Sequence, residues 1–397
     1  MRSRAGGLER QFAIVKLAHL PYRAALAEYD AQARALVDAW REGDPDAVRI
    51  IRHNHPRFLD AEITWLPRKM SDAEARSVTL DLSDAQLTIA RWYDFGGWPQ
   101  LAEYADAVTR DDSPISRFES AVEAVINGDE ALLASLLGAH PDLVRARSAR
   151  VTKFDPPRHR ATLLHYIAAN GVEGYRQKSP ANAVAIATML LKAGAEVDAL
   201  ADMYGGECTT LSMLVSSTPP SQAGVQSALV DVLVDFGASL EPKGAGAWTS
   251  PLMTALAFGF RDAAEALVRG GARVDHVAAA AGLGRFDQTR QLLTGATGED
   301  RHRALALAAQ HGHVDIVGML LDAGEDPNRY NPKGNHAHST PLHQAVAAGH
   351  EAVVRLLIER GARLDMKDTI YQGTPLGWAV YCGQPAIADR LRAHGAA

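Results

Sequence analysis

The sequence predicts a mostly α-helical solenoid: stacked helix–turn–helix units with short β-hairpin fingers, behind a helical N-terminal region. Three observations predict it. Aromatic residues make up only 6% of the 397-residue chain while Ala and Leu abound, a balance that favours helices packed through small side chains. A Thr-Pro-Leu opening recurs at Thr340 and Thr374, and each is followed nine residues later by a glycine, Gly349 and Gly383. After Gly349, apolar residues fall at helical spacing in Val353, Val354, Leu356 and Leu357.

With 47% hydrophobic and 22% charged residues the chain is able to bury a core. A net charge of −6 provides no global basic field for phosphates, so neither a nucleic-acid partner nor a membrane partner is expected. Cys208 and Cys382 form no CxxC pair, which points to a reducing cytoplasm. Near the N-terminus, Arg2 and Arg4 precede Phe12-Ala13-Ile14-Val15, but Lys16 interrupts the run. No signal peptide and no bilayer span is expected.

Residues 1–115 read as a helical region with a degenerate repeat and a Trp-containing cap. Ala33 to Pro56 carries Gly43-Asp44 at a turn and Ala47, Val48, Ile50 and Ile51 as an apolar face. Leu66 to Met70 is a basic loop. A helix follows, with Ser83 or Asp84 as its cap, and Phe95 to Leu101 turns into another helix. Trp92 and Trp98 read as aromatic packing at the end of the solenoid.

Residues 116–397 read as an irregular solenoid of about eight units. Thr340 caps a helix through its hydroxyl, and Pro341 sits where a missing amide hydrogen costs nothing. Gly349 supplies the left-handed turn, and Gly361 ends the second helix. The equivalent starts are Glu119, Thr162, Thr209, Ser250, Asp275, Arg303, Thr340 and Thr374. Gly174 to Pro180 and Thr218 to Gly224 are insertions. Spacings of 25 and 28 after Ser250 and Asp275 leave too few residues for fingers there.

Thr340-Pro341-Leu342-His343-Gln344-Ala345, with its period near 33, resembles the ankyrin-repeat family from about Glu119 onward. The segment through Gly97-Trp98-Pro99 is similar to one found ahead of bacterial ankyrin repeats, which implies a bacterial source. The family also accounts for several histidines. His343 and His165 occupy the TPLH position, where the imidazole bonds to backbone, and His313 and His350 fill a Gly-His turn. The resemblance implies a protein-interaction surface on the concave side, built from fingers and inner helices.

On that face the expected binding residues are Tyr166, Met213, Tyr330, Asn335, His336, His338, Gln344, Asp368, Tyr371, Trp378 and Tyr381. The long polar finger from Pro327 to Ser339 is a recognition element in this reading. Asp202, Tyr204 and Glu207 belong to another finger, and Thr254 shares the inner-helix position of Met213. A protein or peptide partner is expected, with a small molecule as the second possibility. No cofactor or metal is expected, since no zinc-class spacing is present. Walker A, GxSxG and HExxH signatures are missing, so no catalytic residue is assigned. The alternative is an enzyme or small-molecule binder whose pocket gathers His311, His336, His338 and His343 as acid, base or ligand. The two readings separate on whether those histidines line a cavity or bond to backbone.

Overall fold

The computed structural model describes residues 17–241 and 250–396, with Asp72 described by its backbone only. The arginines and apolar run weighed at Arg2 to Lys16 lie outside them. Helices Leu26–Glu42, Pro45–Asn54, Asp72–Arg76, Leu82–Trp92 and Trp98–Thr109 form the N-terminal region. They enclose a core of their own, including Tyr29, Leu36, Phe58, Ile89 and Leu101, against which Trp92 and Trp98 pack half-buried. Gly43 ends the first helix with φ 77°, and the Asp44 carboxylate accepts from Ala47 N at 2.9 Å to start the second. The next cap read from sequence is displaced. Asp81, not Ser83 or Asp84, opens Leu82–Trp92, because Asp84 stands at the third helical position and closes a capping box with it.

Eight helix pairs follow among the described residues. They are Pro114–Asn127 with Glu130–Ala139, Leu163–Ile167 with Ala183–Lys192, Thr210–Leu214 with Gln226–Asp235, and Pro251–Ala257 with Arg261–Arg269. Then come Val277–Gly282 with Phe286–Leu293, Gly298–Gln310 with Val314–Asp322, Pro341–Ala347 with Glu351–Glu359, and Pro375–Tyr381 with Pro385–Ala393. First helices pack on first helices, and second helices largely on second helices, giving two layers over one continuous core from Phe118 to Leu391. Helices approach closely at the fifth unit. There a Cβ on Gly282 would lie 3.1 Å from Leu256 Cδ1, and Ala278 to Ala281 are buried on both sides.

Thr162, Thr209, Ser250, Thr340 and Thr374 stand at helix N-caps. The other three starts shift. Ser113 caps the first unit, His276 the fifth and Thr297 the sixth, so Glu119 and Arg303 lie inside helices. Thr297 Oγ accepts from Asp300 N at 3.1 Å, and Glu299 and Asp300 favour the positive helix end. The first helix of unit six therefore nucleates more than a turn early and uses residues a finger would need. Only four residues separate Leu293 from Gly298, and seven separate Arg269 from Val277. The insertions form a 3₁₀ turn at Gly174–Arg176 and a short helix at Thr218–Gln222. One finger is a paired hairpin among the described residues: Ala201–Met203 runs antiparallel to Gly206–Cys208. Tyr204 and Gly205 turn it with φ 53° and 77°, the mirror-image turn that matches strand twist.

Candidate functional site

The hairpin and the first helices of units three and four enclose a groove of about 600 Å³. Tyr204, Glu207, Cys208, Met213, Thr254 and Phe258 line it, together with Asn170, Asp198 and Glu241. Tyr204 stands at the hairpin tip. Its hydroxyl donates to Asn170 Oδ1 at 2.6 Å, and Asn170 in turn donates to Ser216 Oγ at 2.8 Å, so a 72% exposed ring is held in place. Gly171 lets the hairpin close on the helix beside it: its φ is 72°, and a Cβ there would meet Met203 Sδ at 2.3 Å. Asp198 accepts from Ser239 N at 3.0 Å and ties two fingers together. Burial pushes the Cys208 thiol up, which keeps it a poor nucleophile.

A second cluster occupies units six to eight. The finger from Pro327 to Ser339 leans back across the long helix Gly298–Gln310, where Arg303 Nη1 donates to the Lys333 carbonyl at 3.0 Å. Its His336, at φ 53°, reaches the Ala257 carbonyl of unit four with Nε2 at 2.7 Å. The clipped connections after units four and five leave this space for the finger. A file of rings results: Phe258 to His336 at 6.3 Å, His336 to His338 at 6.0 Å, and His338 to Trp378 at 5.9 Å and Tyr371 at 6.3 Å. Trp378 Nε1 donates to Asp368 Oδ2 at 3.0 Å. Burial opposes charge on Asp368, but hydrogen bonds from Tyr371 N, Trp378, Gly373 N and Ile370 N outweigh it and hold the carboxyl below its usual value.

The residues expected on the concave face divide. Tyr330, Tyr371 and Tyr381 are exposed, the last at 92%, and Tyr330 also donates to the Lys367 carbonyl at 2.7 Å. His336, His338 and Trp378 are half-buried, and Met213 offers one edge to the groove. Four expectations are corrected. Asn335, Gln344 and Asp368 are buried: Asn335 and Asp368 fold inward with their finger turns, and Gln344, on helix Pro341–Ala347, donates to Ser339 Oγ at 2.8 Å. Tyr166 is also fully buried, because the Gly174–Arg176 insertion closes over a one-turn helix and its hydroxyl meets Glu173 at 3.2 Å.

Three of the four alternative catalytic histidines bond to backbone carbonyls, and His338 packs among rings. His311 Nε2 bonds the Leu256 carbonyl at 2.9 Å, and His343 bridges Thr340 and the Gly373 carbonyl at 3.2 Å. None of the four lines the groove. Burial lowers the pKa of all of them, that of His311 to about 4. Among the described residues no three His, Cys, Asp or Glu side chains are placed to hold a metal ion.

Sequence reading missed a buried ion cluster where the N-terminal region meets the stack. Arg176 pairs with Glu119 and, at 3.2 Å, with Glu123; Arg150 and His159 meet Glu173 at 3.4 and 3.1 Å. Tyr104 donates to Glu119 at 3.1 Å, and the Arg150 guanidinium lies 4.2 Å over Phe95. Burial disfavours the Glu173 charge, yet Arg150, His159 and Arg176 hold its carboxyl far below the usual range. The available signal was Glu119 set among the apolar residues Phe118, Ala121 and Val122 of one helix.

Family models match residues 300–397. A family of ankyrin repeats (3 copies) matches 328–397, and a single ankyrin repeat matches 300–332. The mouse ankyrin repeat and SAM domain-containing protein 6 is 35% identical over 98 residues, 25% of this chain and 11% of that protein. An ankyrin repeat-containing protein of Schizosaccharomyces pombe is 37% identical over 62 residues, 16% and 28% of the two chains. The NF-kappa-B inhibitor cactus of Drosophila yakuba is 30% identical over 98 residues, 24% of this chain and 19% of that one. The chain thus spans between 11% and 28% of these relatives. The human ASB11 ankyrin repeat domain aligns at 22% identity over 69% of this chain and 96% of its own, with a TM-score of 0.36. Residues 300–397 are ankyrin repeats.

Proposed function

We propose that this protein binds a protein or peptide partner on the face formed by its fingers and first helices, the concave side of the stack. Ankyrin repeats are in general protein-interaction modules. One of the relatives is by name an inhibitor of NF-kappa-B, and this chain shares repeats with it over 24% of its length. The observation that carries the reading is the state of the histidines. His311, His336 and His343 bond to backbone carbonyls of neighbouring units, while the groove beside them is lined by other residues. That arrangement supports a rigid recognition face over a pocket of acids and bases. We also divide the protein functionally near residue 115, since separate apolar cores lie on either side. Two unpaired cysteines and the lack of any membrane-length apolar helix among the described residues fit a cytoplasmic setting.

The test places a photo-crosslinking p-benzoylphenylalanine at Tyr204, Tyr371 or Tyr381, and at Glu359 on a second helix as control, in the protein's own host. A protein adduct at the first three positions and not at Glu359 is the expected result. Adducts confined to Glu359 would overturn the reading. So would a small bound mass in native mass spectrometry that is lost in His336→Ala/His338→Ala.

A further inference from the structure

We infer that the groove between the hairpin and units three and four takes a basic peptide segment carrying an apolar anchor; this rests on the protein-binding reading above. Charge is the first support. Residues 193–241, from which most of the groove is built, contain seven carboxylates and no Lys, Arg or His, whereas the whole 397-residue chain nets only −6. The nearest basic residues along the chain are Lys192 and Lys243. Asp198, Glu207 and Glu241 line the groove, and among the described residues no Lys, Arg or His does. Three arginines reach its edge: Arg147 Nη1 donates to the Leu200 carbonyl at 2.5 Å, while Arg273 and Arg160 make longer contacts, to Glu241 at 3.5 Å and to Asp202 at 3.8 Å. Such a one-signed, walled cleft focuses its field on incoming cations.

Shape and polarity are the second support. Tyr204 is 72% and Phe258 53% exposed, and Met213 forms apolar floor between them. An inorganic cation or a polyamine makes no use of such a floor. A peptide does, burying an aliphatic or aromatic side chain on Met213 while a neighbouring Lys or Arg lies over a ring and pairs with Glu207. The backbone of the site is already rigid: Tyr204 is tethered to Asn170 and Gly171 fits under Met203, so little ordering entropy opposes binding.

Fluorescence polarisation on the full chain tests this with three labelled 12-residue probes: a Lys/Arg-rich peptide with one central Leu-Phe pair, the same peptide with Glu for every base, and the basic peptide with Ser for Leu-Phe. The first should bind saturably, and the other two at least about tenfold more weakly. Affinity of the first should fall about tenfold between 50 and 300 mM salt. Glu207→Lys and Tyr204→Ala should each weaken it by about tenfold, while Glu359→Lys on the second helix of unit seven should not. Thermal melts of the variants keep folding loss separate from binding loss. Equal binding of basic and acidic probes, indifference to Glu207→Lys and Tyr204→Ala, or full competition by spermine would overturn the proposal. If crosslinks form at Tyr204 while the basic probe fails, the basic-peptide inference is wrong and the interaction face stands; if neither occurs, the face itself is wrong.

Discussion

At the turn between the helices of units five, six and seven, one glycine meets a polar side chain of the next unit. Gly284, Gly312 and Gly349 take φ of 74°, 79° and 76°. A Cβ on Gly284 would lie 2.6 Å from His313, one on Gly312 2.6 Å from His350, and one on Gly349 3.0 Å from Gln384. The imidazoles use that closeness to reach the preceding unit: His313 bonds the Gly282 carbonyl and His350 the Gln310 carbonyl, both at 2.9 Å. Gly312→Ala therefore pays twice, in backbone strain and in a displaced ring. We expect a loss of about 1–3 kcal/mol in urea unfolding, against a gain of up to about 1 kcal/mol for Gly138→Ala, which sits in a helix with nothing within 4 Å of its Cβ. Equal losses at the two sites would refute the account.

Between elements, the decisive feature is the charge cluster that joins the N-terminal region to the first two units. Removing one member leaves an opposite charge buried without compensation, which costs about 3–5 kcal/mol. Arg176→Met should show that loss in equilibrium unfolding, and Arg176→Met combined with Glu119→Leu should recover part of it. A double variant no better than the single one would argue against direct pairing. This junction also marks the limit of what the sequence makes legible. Caps at Thr162, Thr209 and Thr340 are readable because a hydroxyl before an apolar period has one local job. Glu119 and Arg303 mislead because Ser113 and Thr297 begin those helices earlier, and local chemistry beats repeat register. In the groove, Tyr204, Glu207, Met213 and Thr254 are traceable to finger and inner-helix positions. Phe258 is not, since it follows the helix at a position that faces outward in a regular unit and becomes part of the groove only beside the hairpin. Tyr166 occupies a position that projects outward in regular repeats, and only the fold of the insertion reveals its burial.

For the whole molecule, the buried histidines set an acid limit. Burial lowers His165 and His311 to about 4, below the 6.5 of an unfolded chain, and lowers His313, His336 and His343 in the same direction. Below pH 6.5 the unfolded chain therefore takes up protons that the folded chain refuses, so stability falls as pH falls. His165 and His311 each contribute on the order of 3 kcal/mol to that loss by pH 4. The melting temperature should drop steadily from pH 6.5 to 4, and more gently in His311→Gln. A flat profile across that window would contradict it. A stack of repeats is commonly treated as beads that unzip one neighbour at a time from either end. The bond from His336 to the Ala257 carbonyl breaks that picture, because it joins residues 79 apart and skips the units between. Units four to seven are thereby a single cooperative block, and their amides should exchange with deuterium together while unit eight frays by itself.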